Sequence, residues 1–554
     1  MTDFKNPVLF ADYSDPDVIR VGDTYILTAS SFNYVPGLPI LISKDLVNWE
    51  LKAYAIEQVE EDGTKGCPHE DSEAIGKRFE IPRHSEGVWA PSIRYHDGLY
   101  YIYYGMPDEG IYVITAENPL GPWSKPVCIR PAKGFIDPCP YWDEDGRAYI
   151  IHAYARSRIG FKSILGIFEM SPDGMKAISE DQFIFDGNDP AHPAITIEGP
   201  KVYRRNGYYY ILSPAGGVTR GWQVALRSKD IHGPYEIKTV MEQGDTIING
   251  PHQGGLVDST DGREWFLHFQ DRGLYGRICH LQPVTWKNDW PVIGTDEDHD
   301  GNGNPVHTWA LPEEGQPVTP HPTSDAFESH QIGLQWQWLG NLKKSPFGES
   351  VYHDGICLKA QNFSGEEDPI LWHSSNVLTQ KIVLPEFMMD IHLDASRLAE
   401  GNKAGILMMG GQYTSLYAER RGEKAYIVLA ESEGDDAGKY ETVKAEFEVP
   451  EDDLNDLTFR MIFVRNTKAS VSAQGEVSII SVSEEDLYFN SYDSPKPELR
   501  MFFKTKDGAF TDSTCRFTPS DHTWVGAKAG LFAVAHLHAE EGAAEFRSVN
   551  VTEL

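Results

Sequence analysis

Long apolar runs are missing from this chain of 554 residues. Nothing approaches the roughly eighteen uninterrupted apolar residues of a membrane-spanning helix, so no segment reads as one. Basic residues are scarce too: 49 Lys and Arg stand against 83 Asp and Glu, a formal net charge of −34. That sign repels phosphates and anionic headgroups, which argues against nucleic acid and against a membrane surface as partner. Cysteines are few and scattered. The six (Cys67, Cys128, Cys139, Cys279, Cys357, Cys515) include no CxxC pair, so they suggest neither a disulfide framework nor a zinc site. The start, Met1-Thr2-Asp3-Phe4-Lys5-Asn6-Pro7, lacks a basic stretch followed by an apolar one, and the expectation is a cytoplasmic protein with no signal peptide. Also absent are a βαβ alternation and any long amphipathic helical pattern.

What is present is aromatic β-sequence, repeated. Aromatic residues make up 12% and hydrophobic residues 40% of the chain, enough for packed cores, and the length calls for two or more domains. One phrase recurs five times: a proline, a short strand, a Gly-containing turn and an aromatic β-run. The copies begin at Asp15-Pro16, Ala90-Pro91, Asp137-Pro138, Glu198-Gly199-Pro200 and Gly250-Pro251. Their turns are Gly22-Asp23, Asp97-Gly98, Asp145-Gly146, Asn206-Gly207 and Asp261-Gly262. Asn-Gly and Asp-Gly between β-rich runs are strong hairpin signals. A second phrase, Ser43–Trp49, Glu117–Trp123 and Ser228–Tyr235, is expected to turn each unit into its outer strand.

Spacing of this size suits a four-stranded antiparallel sheet per copy, with the first copy enlarged by an acidic insertion near Glu60-Glu61-Asp62-Gly63. Repeats that cannot bury their own faces close radially, so five copies predict a five-bladed β-propeller. A propeller over 1–317 is followed by a Pro-rich linker at 318–323, within the run Pro312, Pro317, Pro320 and Pro322. Beyond it, alternation in Met389–Asp394 and strand-like Tyr426–Leu429 and Phe459–Val464 predict an antiparallel β-sandwich over 324–554. The fold class is therefore all-β.

In a propeller the innermost strands ring a central channel, so the heads of different copies converge. Asp15, Asp137 and Glu198 then meet at one mouth. Converging carboxylates repel, one proton stays bound and their pKa values spread, which acid–base chemistry near neutrality requires. Two carboxyls with a gap between them suit glycoside hydrolysis, one donating a proton and the other activating water or attacking. Strand caps, or a cation held on the propeller axis by a non-catalytic glycan-binding propeller, are the competing readings.

Asn6-Pro7-Val8-Leu9, Ser14–Arg20, Ser43–Trp49, Val88-Trp89-Ala90-Pro91 and Ile197-Glu198-Gly199-Pro200 together resemble glycoside hydrolase family 43. Softer matches, Leu334–Trp338 and Trp524–Phe532, extend the resemblance to the C-terminal, concanavalin-like sandwich that some members carry. The resemblance implies an inverting exo-glycosidase on small oligosaccharides, a β-1,4-xylosidase or alternatively an α-L-arabinofuranosidase. It implies Asp15 as general base, Glu198 as general acid and Asp137 as the residue that orients Glu198 and raises its pKa. The acid and base should then lie roughly 6.5–9.5 Å apart. Phe32 and Trp89 match aromatic walls of the sugar pocket, Arg277 matches an arginine contacting sugar hydroxyls, and His252 matches a histidine near the axis, beside a structural calcium or other cation. The chemistry itself requires no cofactor, and a homo-oligomer is left open. Propellers that cleave fructans carry an Arg before the second Asp-Pro; here that position is Ile136, which favours inversion.

Three weaker signals remain. Asp296–Gly301 opens like a calcium loop, but its twelfth position is His307 and not Glu, so an acidic turn is the better reading. Trp336 and Trp338 are read as strand packing in preference to a carbohydrate-binding face. Phe510 and Phe517 are candidates for a sandwich loop that closes the mouth.

Overall fold

The computed structural model describes residues 3–60, 73–315, 320–434, 440–465, 469–472, 476–479, 497–506 and 508–554. Most of the acidic insertion after Glu60, with Cys67, and part of the Pro-rich linker lie outside the described residues. The chain forms two compact units. One comprises 1–76, 86–272 and 277–320; the other comprises 77–85, 273–276 and 321–554. The division falls at 320/321, and the segments 77–85 and 273–276 group with the second unit.

Five four-stranded antiparallel sheets make the first unit, each wound in chain order from its first strand outward. The first strands are Asp17–Val21, Trp89–His96, Phe135–Trp142, Lys201–Arg205 and Gly254–Asp258. Each follows or contains a repeat proline, as the recurring phrase requires. The expected turns close hairpins: Val21 pairs Thr24, His96 pairs Leu99 and Arg205 pairs Tyr208 across two-residue loops. At Asp97-Gly98 and Asn206-Gly207 both residues have positive φ, the geometry that matches the twist of the flanking strands. The second phrase links third to fourth strands, as at Ser43–Trp49 between Gly37–Ser43 and Glu50–Ile56. Its Asp45 carboxylate accepts the N–H groups of Val47 and Asn48, which fixes the turn.

Burial between sheets holds these blades together. Tyr101, Tyr103, Ile111 and Val113 of the second blade pack on Ala148, Ile150, Phe168 and Met170 of the third. Leu212, Ala225 and Val240 of the fourth pack on Phe266, Val284 and Ile293 of the fifth. First strands of the fifth and first blades adjoin, so the ring closes. The chain ends of the unit are tied as well. Asp3–Lys5 pairs with Thr308–Ala310, and buried Asn6 donates to the carbonyls of Leu281 and Val306 while accepting from the Leu281 N–H.

The second unit is a sandwich of a seven-stranded and a six-stranded antiparallel sheet. Strands such as Asn402–Met409 and Lys528–Ala535 are buried throughout. Trp336 and Trp338 are buried, and the Trp336 indole N–H donates to Asp325. They pack, as read from the alternation.

Candidate active site

The residue before each repeat proline lies in the left-handed region: φ is 53° at Asp15, 27° at Ala90, 56° at Asp137, 56° at Gly199 and 50° at Gly250. That conformation is sparsely populated ahead of a proline and persists only where the surroundings enforce it. In the second and third blades the ladder slips at this step, between Trp89 and Ser92 and between Ile136 and Cys139. A proline has no N–H for the ladder, and a bulge there re-aims the neighbouring side chain. Asp15 and Asp137 occupy equivalent positions. Glu198 does not: it stands one residue earlier, where the second blade has Trp89, and Gly199 takes the strained position.

Asp15 is fixed on both oxygens. The Arg277 guanidinium donates to Oδ1 at 2.8 Å and the Ser30 hydroxyl to Oδ2 at 2.7 Å. Ser30 also accepts the Ala90 N–H, joining the first two blades at the floor. Arg277 is held by its own N–H to Asp12 Oδ1 at 3.0 Å, and its guanidinium lies 4.6 Å from the Phe269 ring centroid. The arginine expected to touch sugar hydroxyls is thus first an ion-pair partner of Asp15. Asp137 accepts the Gly199 N–H at 2.8 Å, a contact from the residue beside Glu198.

Burial pushes the Glu198 carboxyl up to about 8, with the negative charges of Asp137 and Asp15 adding to it and Arg277 and Lys162 opposing. Its side chain keeps 29% of its accessible surface, so water reaches one face and limits how far desolvation lifts it. Asp137 is raised to about 7, by burial first and by Asp15 second, against the Gly199 N–H, Lys201 and Arg277. Three carboxyls therefore share one site, two of them raised into the neutral range.

Neither ring nitrogen of His252, 2% exposed, has a hydrogen-bond partner among the described residues. Nε2 lies 3.5 Å from Glu198 Oε1. Burial, with Arg277 and His268 nearby, holds the imidazole well below its usual pKa and hence neutral. A hard cation such as calcium takes six to eight oxygens. Among the described residues His252 joins no group of three His, Cys, Asp or Glu whose ligand atoms converge. The carboxylates that do converge are Asp296, Asp298 and Asp300, in an exposed turn beside Lys287.

Phe32 and Trp89 are brought together, since the Phe32 backbone bridges to Val88 in both directions. Both are buried, and Arg158 lies 5.5 Å from the Trp89 ring centroid. Phe517 is buried in the sandwich on Leu499, and Phe510 stacks under Arg460 at 4.0 Å. Sequence reasoning missed Ser30, Asp12 and Lys162, which hold or bias the acids from single-copy loops with no repeated signal.

Residues 4–291 match the model of glycosyl hydrolases family 43. The chain belongs to that family. Residues 324–552 match the beta xylosidase C-terminal concanavalin A-like domain. Membership makes this a glycoside hydrolase of an inverting family. A beta-xylosidase of Formosa agariphila is 33% identical over 75% of this chain and 74% of its own length. The non-reducing end alpha-L-arabinofuranosidase BoGH43B of Bacteroides ovatus is 28% identical over 77% of this chain and 78% of its own. A Xylanibacter ruminicola relative is 40% identical over 69% of this chain, which spans about two thirds of that relative, 66%. The fold is shared with the xylan beta-1,4-xylosidase of Bacillus halodurans, with a TM-score of 0.76 at 21% identity over 99% of this chain and 100% of that one.

Proposed function

We propose that this family 43 member is a β-1,4-xylosidase that releases xylose from the non-reducing ends of short xylo-oligosaccharides. One observation carries the acid–base mechanism: a fixed, Arg-paired Asp15 shares a buried site with Glu198, whose carboxyl is raised to about 8 and so keeps its proton at neutral pH. The choice of xylose is supported by the beta-xylosidase name of the Formosa agariphila relative. Asp15, with lone pairs to spare beyond its two accepted bonds, takes a proton from water as that water attacks the anomeric carbon. Glu198 gives its proton to the departing glycosidic oxygen, and the configuration inverts. Asp137 holds Gly199 and adds the negative charge that keeps the proton on Glu198. Solvent exchange then resets both acids. Phe32 and Trp89 wall the sugar, and neutral His252 lies against Glu198 with Nε2 3.5 Å from its Oε1; the proposed chemistry calls on no cofactor.

An α-L-arabinofuranosidase is the second reading, supported by the name of the Bacteroides ovatus relative. Aryl β-xyloside and aryl α-arabinofuranoside, assayed in parallel, separate the two. We expect the xyloside to be cleaved faster, with the α-anomer of xylose as first product by NMR. Faster cleavage of the arabinoside would replace the first reading with the second, and hydrolysis of neither would remove both.

A further inference from the structure

Lys201 stands two residues beyond Gly199 and is fully buried, with 0% of its surface exposed. Its backbone belongs to the fourth blade, yet its ammonium donates to the Pro91 carbonyl at 3.1 Å and the Ser92 hydroxyl at 2.7 Å, both in the second. These blades are not neighbours; the third lies between them. Since first strands line the channel, the lysine stem crosses it in front of Asp137-Pro138-Cys139. The surrounding backbone agrees: the Gly199 N–H reaches Asp137, and the Val202 N–H reaches Cys139 Sγ at 3.4 Å.

Bridging two neutral oxygens calls only for a donor, not for a charge. A buried ammonium without a counter-ion is costly, so its retention needs a reason. Among the described residues no carboxylate forms a salt bridge with Lys201, and its field is therefore spent on the carboxyls nearby. Another buried carboxylate, Asp17, is already neutralised by Arg94 at 2.6 Å and accepts the Ile93 N–H. Asp137 is faced by Asp15 from the first blade, by Glu198 and Lys201 from the fourth and by Arg277 from the fifth; of these, Lys201 and Arg277 favour its anion. Arg277 is committed to Asp15.

We propose that Lys201 is a positioning residue: a channel-spanning ammonium that keeps Asp137 ionised, so that the one proton shared by the acid pair rests on Glu198. This rests on the acid–base reading of the trio given above. Without the ammonium the proton moves toward Asp137. Fewer molecules then carry it on Glu198, although the pair as a whole holds it more tightly.

The consequence has an unusual sign. In Lys201→Met, kcat/KM for xylobiose should fall about twofold more than that for a β-xyloside with an activated aryl leaving group, because a rise of about one pKa unit brings Asp137 level with Glu198 and splits the shared proton about evenly. At the same time the alkaline limb for xylobiose should move upward by about 0.3 pH unit. Lys201→Arg, which keeps the charge, should restore the limb. Equal losses on both substrates with an unmoved limb would overturn the proposal, because a merely structural lysine predicts that result. If Lys201→Met does not fold, Ser92→Ala loosens the anchor and should shift the same ratio less, in the same direction; an unchanged ratio there overturns the proposal too. Should the wild type cleave neither sugar, the acid–base reading fails by itself. The carboxyl 13C titration of Asp137, identified by its loss in Asp137→Asn, still decides on Lys201, because its midpoint must rise in Lys201→Met and an unmoved midpoint refutes it.

Discussion

Glu198 is asked to hold a proton at neutral pH while leaving one face open to substrate. Its surroundings meet both demands through two nearby carboxylates and a largely buried stem. Activity on poor leaving groups should therefore fall as pH rises through about 8, where Glu198 loses its proton. Glu198→Ala should lower turnover of xylobiose by about 10²–10⁴, the usual contribution of a positioned acid, and lower that of activated aryl xylosides far less. The alkaline limb should vanish with it; similar losses on both substrates would remove the acid role. Asp15→Ala should abolish both activities, since water must be activated whatever leaves. Asp15 and Asp137 were legible because each stands directly before a repeat proline, and Glu198 because it precedes the Gly-Pro step of the fourth copy. Ser30 and Asp12, which fix Asp15 and Arg277, were not, since hydrogen bonds between residues 15 and 265 positions apart in the chain leave no local pattern. Arg277 was legible as a site residue, but its pairing with Asp15 depends on the approach of the fifth blade to the first.

At the scale of elements, the recurring phrase is one structural solution used five times: a left-handed residue, a proline and the start of an innermost strand. Hairpin turns and third-to-fourth connections could be read in advance because Asn-Gly, Asp-Gly and the Ser-x-Asp turn encode their own geometry. The one-residue offset of Glu198 from Asp15 and Asp137 shows in the sequence as the intervening Gly199, but that the strained φ falls on this glycine could not be read in advance. Close approach at the axis also constrains glycines the phrase merely repeats. A Cβ on Gly254 would lie 1.9 Å from the Leu267 carbonyl oxygen in the paired strand. Gly254→Ala should thus force the first two strands of the fifth blade apart and destabilise the propeller by about 1–3 kcal/mol, the range of overpacked sites. A lowered urea midpoint would show it. Gly365→Ala meets nothing within 4 Å and carries only the strain of its φ of 80°, so it should cost less. Equal midpoints for the two variants would contradict this account of the axis.

Over the whole propeller, the same buried groups that serve the chemistry tilt stability with pH. Glu198 and Asp137 bind their protons more tightly folded than unfolded. Their contribution is full below the ordinary carboxyl range and is lost as pH rises toward about 8 and about 7. Buried His252, His268 and His280 act in the opposite sense. Each is held neutral, well below its usual value or, for His268, at about 4, so stability is lost as pH falls below about 6.5, where the unfolded chain takes up protons. Below that value three histidines outweigh two acids, and above it the acids act alone. The unfolding temperature of the propeller should therefore peak close to pH 6 and decline toward pH 8. Glu198→Gln keeps the shape of the side chain and cannot ionise, which removes the larger part of the alkaline decline. At pH 8 it should melt above the wild type, each kcal/mol being worth about 2–4 °C at this size, while losing activity on xylobiose. A variant that melts no higher than the wild type at pH 8 would show that the Glu198 proton is not held by the fold, and the acid would need another source for its raised pKa.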